Sequence, residues 1–95
     1  MQVRVRLPTQ LRHLAGGANS VVVVVEATPV TVGSVLDSLA VTHPALERRV
    51  RDETGRTRLH VNMFVDADNI RDLDGVETTV AAGSDVTIIP SISGG

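Results

Sequence analysis

The chain has no cysteine, lysine, tryptophan or tyrosine, and phenylalanine occurs once, as Phe64. Without cysteine there can be no disulfide, no thiol nucleophile, no persulfide and no thiolate metal site. With a single aromatic residue, the core must come from valine, isoleucine and leucine, which suits strands. All nine basic residues are arginines, set against eleven acidic ones, for a formal net charge of −2. That balance gives no general electrostatic basis for binding nucleic acid or an anionic membrane. No apolar run approaches the roughly 20 residues that span a bilayer. The first residues enter a strand pattern without a basic-then-apolar leader, so a cytoplasmic protein is expected. His13, His43 and His60 are scattered and match no zinc spacing, so no metal site is expected.

What is present is one domain's worth of alternating and helical pattern in 95 residues. Val3, Val5 and Leu7 alternate with Gln2, Arg4 and Arg6, which predicts a half-buried strand stopped by Pro8. Leu11 to Asn19 reads as a connection ending in turn residues, Gly16-Gly17 among them. Ser20 to Ala27 holds five consecutive valines and predicts a second strand hairpinned to the first. Its apolar run is too continuous for simple alternation, which suggests that something covers a second face. Thr31 has the chemistry of a helix N-cap, and Val32, Val35, Leu36 and Leu39 follow at helical spacing. Pro44 ends that helix and can open a short second one, followed by a turn at Glu53-Thr54-Gly55-Arg56.

Further on, Val61, Met63 and Val65 alternate with Asn62 and Phe64, so Phe64 is expected on the outward face. Val76 to Val80 is ambiguous. In the last strand Val86 and Ile88 are expected inward, Thr87 and Ile89 outward. The order is β-β-α-β-β, an α+β domain with one helix packed across a mixed sheet.

After Pro90 the sequence becomes small and polar: Ser91-Ile92-Ser93-Gly94-Gly95. Glycine has no Cβ, so a Gly-Gly end can lie extended in a slot too narrow for other residues. Five residues reach on the order of 17 Å at about 3.4 Å each. The expected division is therefore a folded domain over residues 1–90 and an extended flexible tail over 91–95, with the carboxylate of Gly95 at its tip. A tail of this kind presents its own C-terminus as the candidate reactive group. The missing lysines also leave no ε-amine here to capture an activated carboxylate.

Other patterns carry less. Asp66, Asp68, Asp72 and Asp74 approach a calcium-loop spacing, but Ile70 stands where an oxygen ligand is needed, and turn formation accounts for them. Asp37-Ser38-Leu39 matches the phosphopantetheine tripeptide of helical carrier domains but lies in a lone helix between strands, so Ser38 is read as an exposed helix residue. Arg48, Arg49, Arg51, Arg56 and Arg58 are interleaved with Glu47, Asp52 and Glu53 and read as a solvated face.

A hairpin, a crossing helix and a final strand running into Gly94-Gly95 resemble the β-grasp, or ubiquitin-like, fold, with a mixed four- to five-stranded sheet, one main helix and a short second one. The first strand, the turn Ala82-Gly83-Ser84-Asp85, the segment Val86-Thr87-Ile88-Ile89-Pro90 and the terminal glycines resemble the MoaD/ThiS family of sulfur carriers. Gly16-Gly17, Leu59 to Val65 and Thr87 to Gly95 look most like the branch that serves cysteine biosynthesis.

The resemblance implies a carrier, not an enzyme, that binds no cofactor itself. An E1-like adenylyltransferase and sulfurtransferase of the MoeB/MoeZ type would use ATP to adenylate Gly95, and sulfur would replace AMP to leave a thiocarboxylate. Gly94, Ser93 and Ile92 would enter the partner's active site, while Phe64 and Ile89 would form the partner-binding surface. The implied sulfur acceptors are a cysteine synthase, a thiazole-synthase-like enzyme or the large subunit of molybdopterin synthase. A metallopeptidase would release cysteine in the first case. The alternatives are a ubiquitin-like modifier joined to target lysines and the small subunit of molybdopterin synthase. No nucleic-acid or membrane partner is expected.

Overall fold

The computed structural model describes residues 1–90. The expected tail and its residues Ile92, Ser93, Gly94 and Gly95 lie outside the described residues. Five strands are described: β1 (Gln2–Arg6), β2 (Ser20–Val24), β3 (Val61–Val65), β4 (Asp68–Asn69) and β5 (Asp85–Pro90). They make one sheet in the order β2-β1-β5-β3-β4, in which only the β1–β5 pair is parallel. Helices α1 (Val32–Thr42) and α2 (Pro44–Val50) cover one face. This mixed sheet, with its last strand in the centre and a helix across it, is a β-grasp.

The inward residues of the strands follow their alternation: Val3, Val5, Val23, Val61, Met63, Val86 and Ile88 are all at most 3% exposed. Against them α1 lays Val32, Val35, Leu36 and Leu39, and α2 adds Leu46 and Val50. Burying each such side chain contributes about 1.5–3 kcal/mol, so this layer dominates stability. Thr31 starts α1 through a reciprocal cap: Ser34 N–H donates to Thr31 Oγ1 at 3.1 Å, and Thr31 N–H donates to Ser34 Oγ at 2.8 Å. Pro44 opens α2 at a position where a missing N–H costs nothing.

Three local expectations change. The connection after β1 is a 3₁₀ helix, Thr9–Ala15, which buries Leu11 and closes when Gly17 N–H donates to Arg12 carbonyl at 2.8 Å over Gly16 at φ 65°. Its two leucines were too few to show a helical period in sequence. β2 ends at Val24, short of Ala27, although Val25 still exchanges two backbone bonds with Met1, both 2.8 Å. Nothing in the described chain covers the second face of β2: Val22 and Val24 are 56% and 59% exposed. The ambiguous stretch after Gly75 contains a short 3₁₀ turn, Gly75–Glu77.

The basic segment after α2 is only partly a solvated face. Arg51 donates to Glu47 Oε2 through Nε and to Asp37 Oδ1 through Nη2, each at 2.8 Å, and so braces α2 against α1. Burial opposes its charge, but the bonds to Glu47 and Asp37 outweigh that and raise its pKa. Arg58 Nε donates to the Arg48 carbonyl at 2.9 Å. Ser38 is half-buried, not exposed, because α1 turns that side toward β2.

Candidate functional site: the open face beside the last strand

β5 lies between β1 and β3, so the face away from the helices is organised about it. The register sets Ile89 opposite Asn62, and Thr87 opposite both Phe64 on β3 and Arg6 on β1. Phe64 and Ile89 are therefore diagonal neighbours on one face, within reach for side chains of their size. Ile89 is 41% exposed and Phe64 is half-buried. The structure thus brings together the two outward apolar residues that alternation singled out. Pro90 follows directly, and a cleft of about 180 Å³ beside it is lined by Gln10, Leu11, Arg49, His60 and Ile88. Arg49 and His60 had no signal linking them to this place, since they come from α2 and the segment before β3.

Next to the apolar pair the open face is basic. Arg4, Arg6 and Arg12 line a hollow of about 430 Å³ with Ser20 and Thr87. Arg6 Nε donates to Asp85 Oδ2 at 2.9 Å, and Arg12 Nε donates to the Leu7 carbonyl at 3.2 Å. Arg12 arrives there through the 3₁₀ helix, which is why its place beside β1 was not readable in sequence.

Two devices hold this face in position. Asp66, in the left-handed region at φ 53°, accepts from Asp85 N–H at 3.0 Å and from Ser84 hydroxyl at 2.8 Å, fixing where β5 begins. Gly83, at φ 87°, makes the turn into that strand. Arg71 Nη2 donates to the carbonyls of Arg58, Leu59 and Val61 at 3.2, 3.1 and 2.9 Å, while its Nη1 donates to Asn62 Oδ1 at 3.2 Å. Arg71 clamps the start of β3 beside Ile89, a role that sequence reasoning missed because its acceptors are main-chain oxygens ten or more residues away.

Among the described residues no group of three or more His, Cys, Asp or Glu is placed to hold a metal ion. No helix among them is long and apolar enough to cross a membrane. What the face can do is present an apolar pair with a basic flank to another protein, beside the last described residue, Pro90.

Comparison with known proteins gives a consistent result. The sequence profile of the ThiS family matches residues 5–95. The chain is 35% identical over 97 residues to the sulfur carrier protein CysO of Mycobacterium tuberculosis, covering 100% of both chains. Its structure is similar to that of CysO in the Amycolatopsis orientalis BexX/CysO complex, with a TM-score of 0.82 and 30% identity over 98% of this chain and 99% of that one. It is also similar to SAMP1 of Haloferax volcanii, a small archaeal modifier protein, with a TM-score of 0.81 and 32% identity over 100% of both chains.

Proposed function

The chain belongs to the ThiS family, and we propose that it is a sulfur carrier whose reactive group is the carboxylate of Gly95. A carboxylate is a poor electrophile until one oxygen becomes a leaving group. An E1-like partner of the MoeB/MoeZ type would supply that by transferring AMP from ATP to Gly95 and releasing pyrophosphate. A sulfide equivalent delivered by the sulfurtransferase then attacks the acyl carbon, AMP departs, and a thiocarboxylate remains. The carrier contributes no acid, base or metal to either step. It contributes recognition through Phe64 and Ile89, and reach through Ile92, Ser93 and Gly94, which enter the partner's active site.

The observation that carries this reading is the full-length likeness to a sulfur carrier in a chain whose central strand bears Ile89 beside Phe64 and then leads to Gly94-Gly95. The acceptor is proposed to be a cysteine synthase, because the likeness to CysO spans both chains completely. A metallopeptidase would then free the cysteine. The test is intact-mass analysis after incubation with such an activating enzyme, ATP and sulfide. The expected result is the gain of one sulfur for one oxygen, confined to the C-terminal peptide. A chain that stays unshifted beside a carrier that the same enzyme loads would end the proposal.

The likeness to SAMP1 favours a second reading, a modifier joined through Gly95 to lysines of other proteins. The two separate in cell lysate. A modifier leaves higher-mass conjugates that vanish when Gly94-Gly95 is deleted, whereas a sulfur carrier leaves none.

A further inference from the structure

β2 is one edge of the sheet, and its residues Ser20-Val21-Val22-Val23-Val24 include no charge and no proline. Edge strands are ordinarily blunted by such residues or by shortness, because their free N–H and C=O groups template pairing with another strand. The opposite edge, β4, follows that rule with two residues, Asp68–Asn69. In an antiparallel pair, residues alternate between bonding the partner strand and pointing away from it. Met1 and Val25 exchange both of their bonds at 2.8 Å, so Val21, Val23 and Val25 bond toward β1. The main-chain groups of Val22 and Val24 therefore face outward, and among the described residues no strand pairs with them. Their side chains are exposed. The β2 edge at Val22, Val23 and Val24, together with Ser38, Thr42 and the 82% exposed Val41, lines a groove of about 280 Å³ between β2 and the end of α1.

We propose that this edge joins a second copy of the same chain, β2 against β2 in antiparallel register about a two-fold axis at Val23. The charge pattern argues for that occupant. At one end of β2, Ser20 lies opposite Arg6 and shares a hollow with Arg6 and Arg12. Just past the other end stands the exposed Glu26. A two-fold axis at Val23 sets Val22 opposite Val24 of the second copy, and Ser20 opposite Glu26 of the second copy. Each Glu26 then points across a small serine toward the hollow that holds the other chain's Arg12 and Arg6, the latter bound to Asp85 through Nε alone among the described residues, whereas parallel pairing would set like charges together. A patch that complements itself in this way closes on a dimer. The two-residue β4 edges stop the joined sheet from growing, and Phe64, Ile89 and Pro90 stay clear of the joint because β1 lies between.

Sedimentation velocity from low-micromolar to near-millimolar concentration tests this directly. The wild-type chain is expected to dimerise. Val22→Lys with Val24→Lys should leave a monomer with an unchanged circular-dichroism spectrum, and Glu26→Arg should weaken the dimer about tenfold. The register has its own probe, since the chain has no cysteine. A Val22→Cys chain mixed with a Val24→Cys chain should cross-link on oxidation far more than either alone, as opposed residues lie within disulfide reach. A wild-type chain that stays monomeric at the highest concentration overturns the proposal, whether or not the groove binds some other protein. So does a dimer indifferent to the lysine pair, or cross-linking that favours like with like.

Discussion

The two faces of the sheet use the same strands for opposite ends. On β3, Val61, Met63 and Val65 are buried at 3%, 1% and 9%, while Asn62 and Phe64 between them face the open side. On β5, Ile88 is 1% exposed and its neighbour Ile89 is 41% exposed. One residue of displacement along a strand separates a side chain that holds the fold from one available to a partner. The covered face is uniformly aliphatic. The open face mixes Phe64 and Ile89 with Arg4 and Arg6, a composition that stabilises little by itself and fits recognition. Stability and binding should therefore be separable by mutation, even between adjacent residues.

Leu36→Ala should break the covered face hardest. Leu36 is fully buried between α1 and the sheet, and truncation removes transfer energy and leaves a cavity, together about 3 kcal/mol. Denaturant unfolding should show that loss as a lower midpoint. Loading of the C-terminus, measured where the variant is still folded, should be unchanged. On the open face the pattern should invert. Phe64→Ala and Ile89→Ala should each raise the KM for loading about tenfold, equivalent to about 1.4 kcal/mol of docking energy, with kcat held. Ile89→Ala should shift stability by less than about 1 kcal/mol. If Leu36→Ala weakened docking as much as Phe64→Ala, the division between faces would be wrong.

That division was legible where alternation was strict. β1, β3 and β5 each carry polar or outward residues between inward aliphatics, so parity alone assigned Phe64 and Ile89 to the open face. The helix was equally plain, from Thr31, the spacing of Val32, Val35, Leu36 and Leu39, and Pro44. β2 was not, because five valines in a row have no parity. Only its register with β1 shows that Val23 and Val25 are covered while Val22 and Val24 are not. Alternation could not show that Phe64 and Ile89 are neighbours either, since that depends on pairing strands more than twenty residues apart. Arg51 and Arg58 read as a solvated face, and Arg71 carried no signal, because their partners come from other elements or from main-chain oxygens.

The smallest effect should come from a site on neither face, which makes it the control for both. Asp52 anchors the turn between α2 and β3, accepting from the Thr54 hydroxyl, from Thr54 N–H at 2.9 Å and from Arg56 N–H at 3.2 Å. The Thr54 hydroxyl is the largest of the influences that lower its pKa below 3.8; the two backbone N–H groups and Arg58 add to it. These bonds favour the charged carboxylate, so folding binds it more tightly in the ionised form. The resulting stabilisation is fully present above 3.8 and is lost as pH falls through the lower folded-state value. Asp52→Asn keeps a carbonyl acceptor but removes the charge. At pH 7 it should melt slightly below the wild type, and the gap should close as pH falls below 3.8. Loading kinetics at pH 7 should not move, because the turn touches neither Phe64 nor Ile89. A gap that persisted unchanged into acid would mean that the turn is held by its geometry and not by the carboxylate's charge.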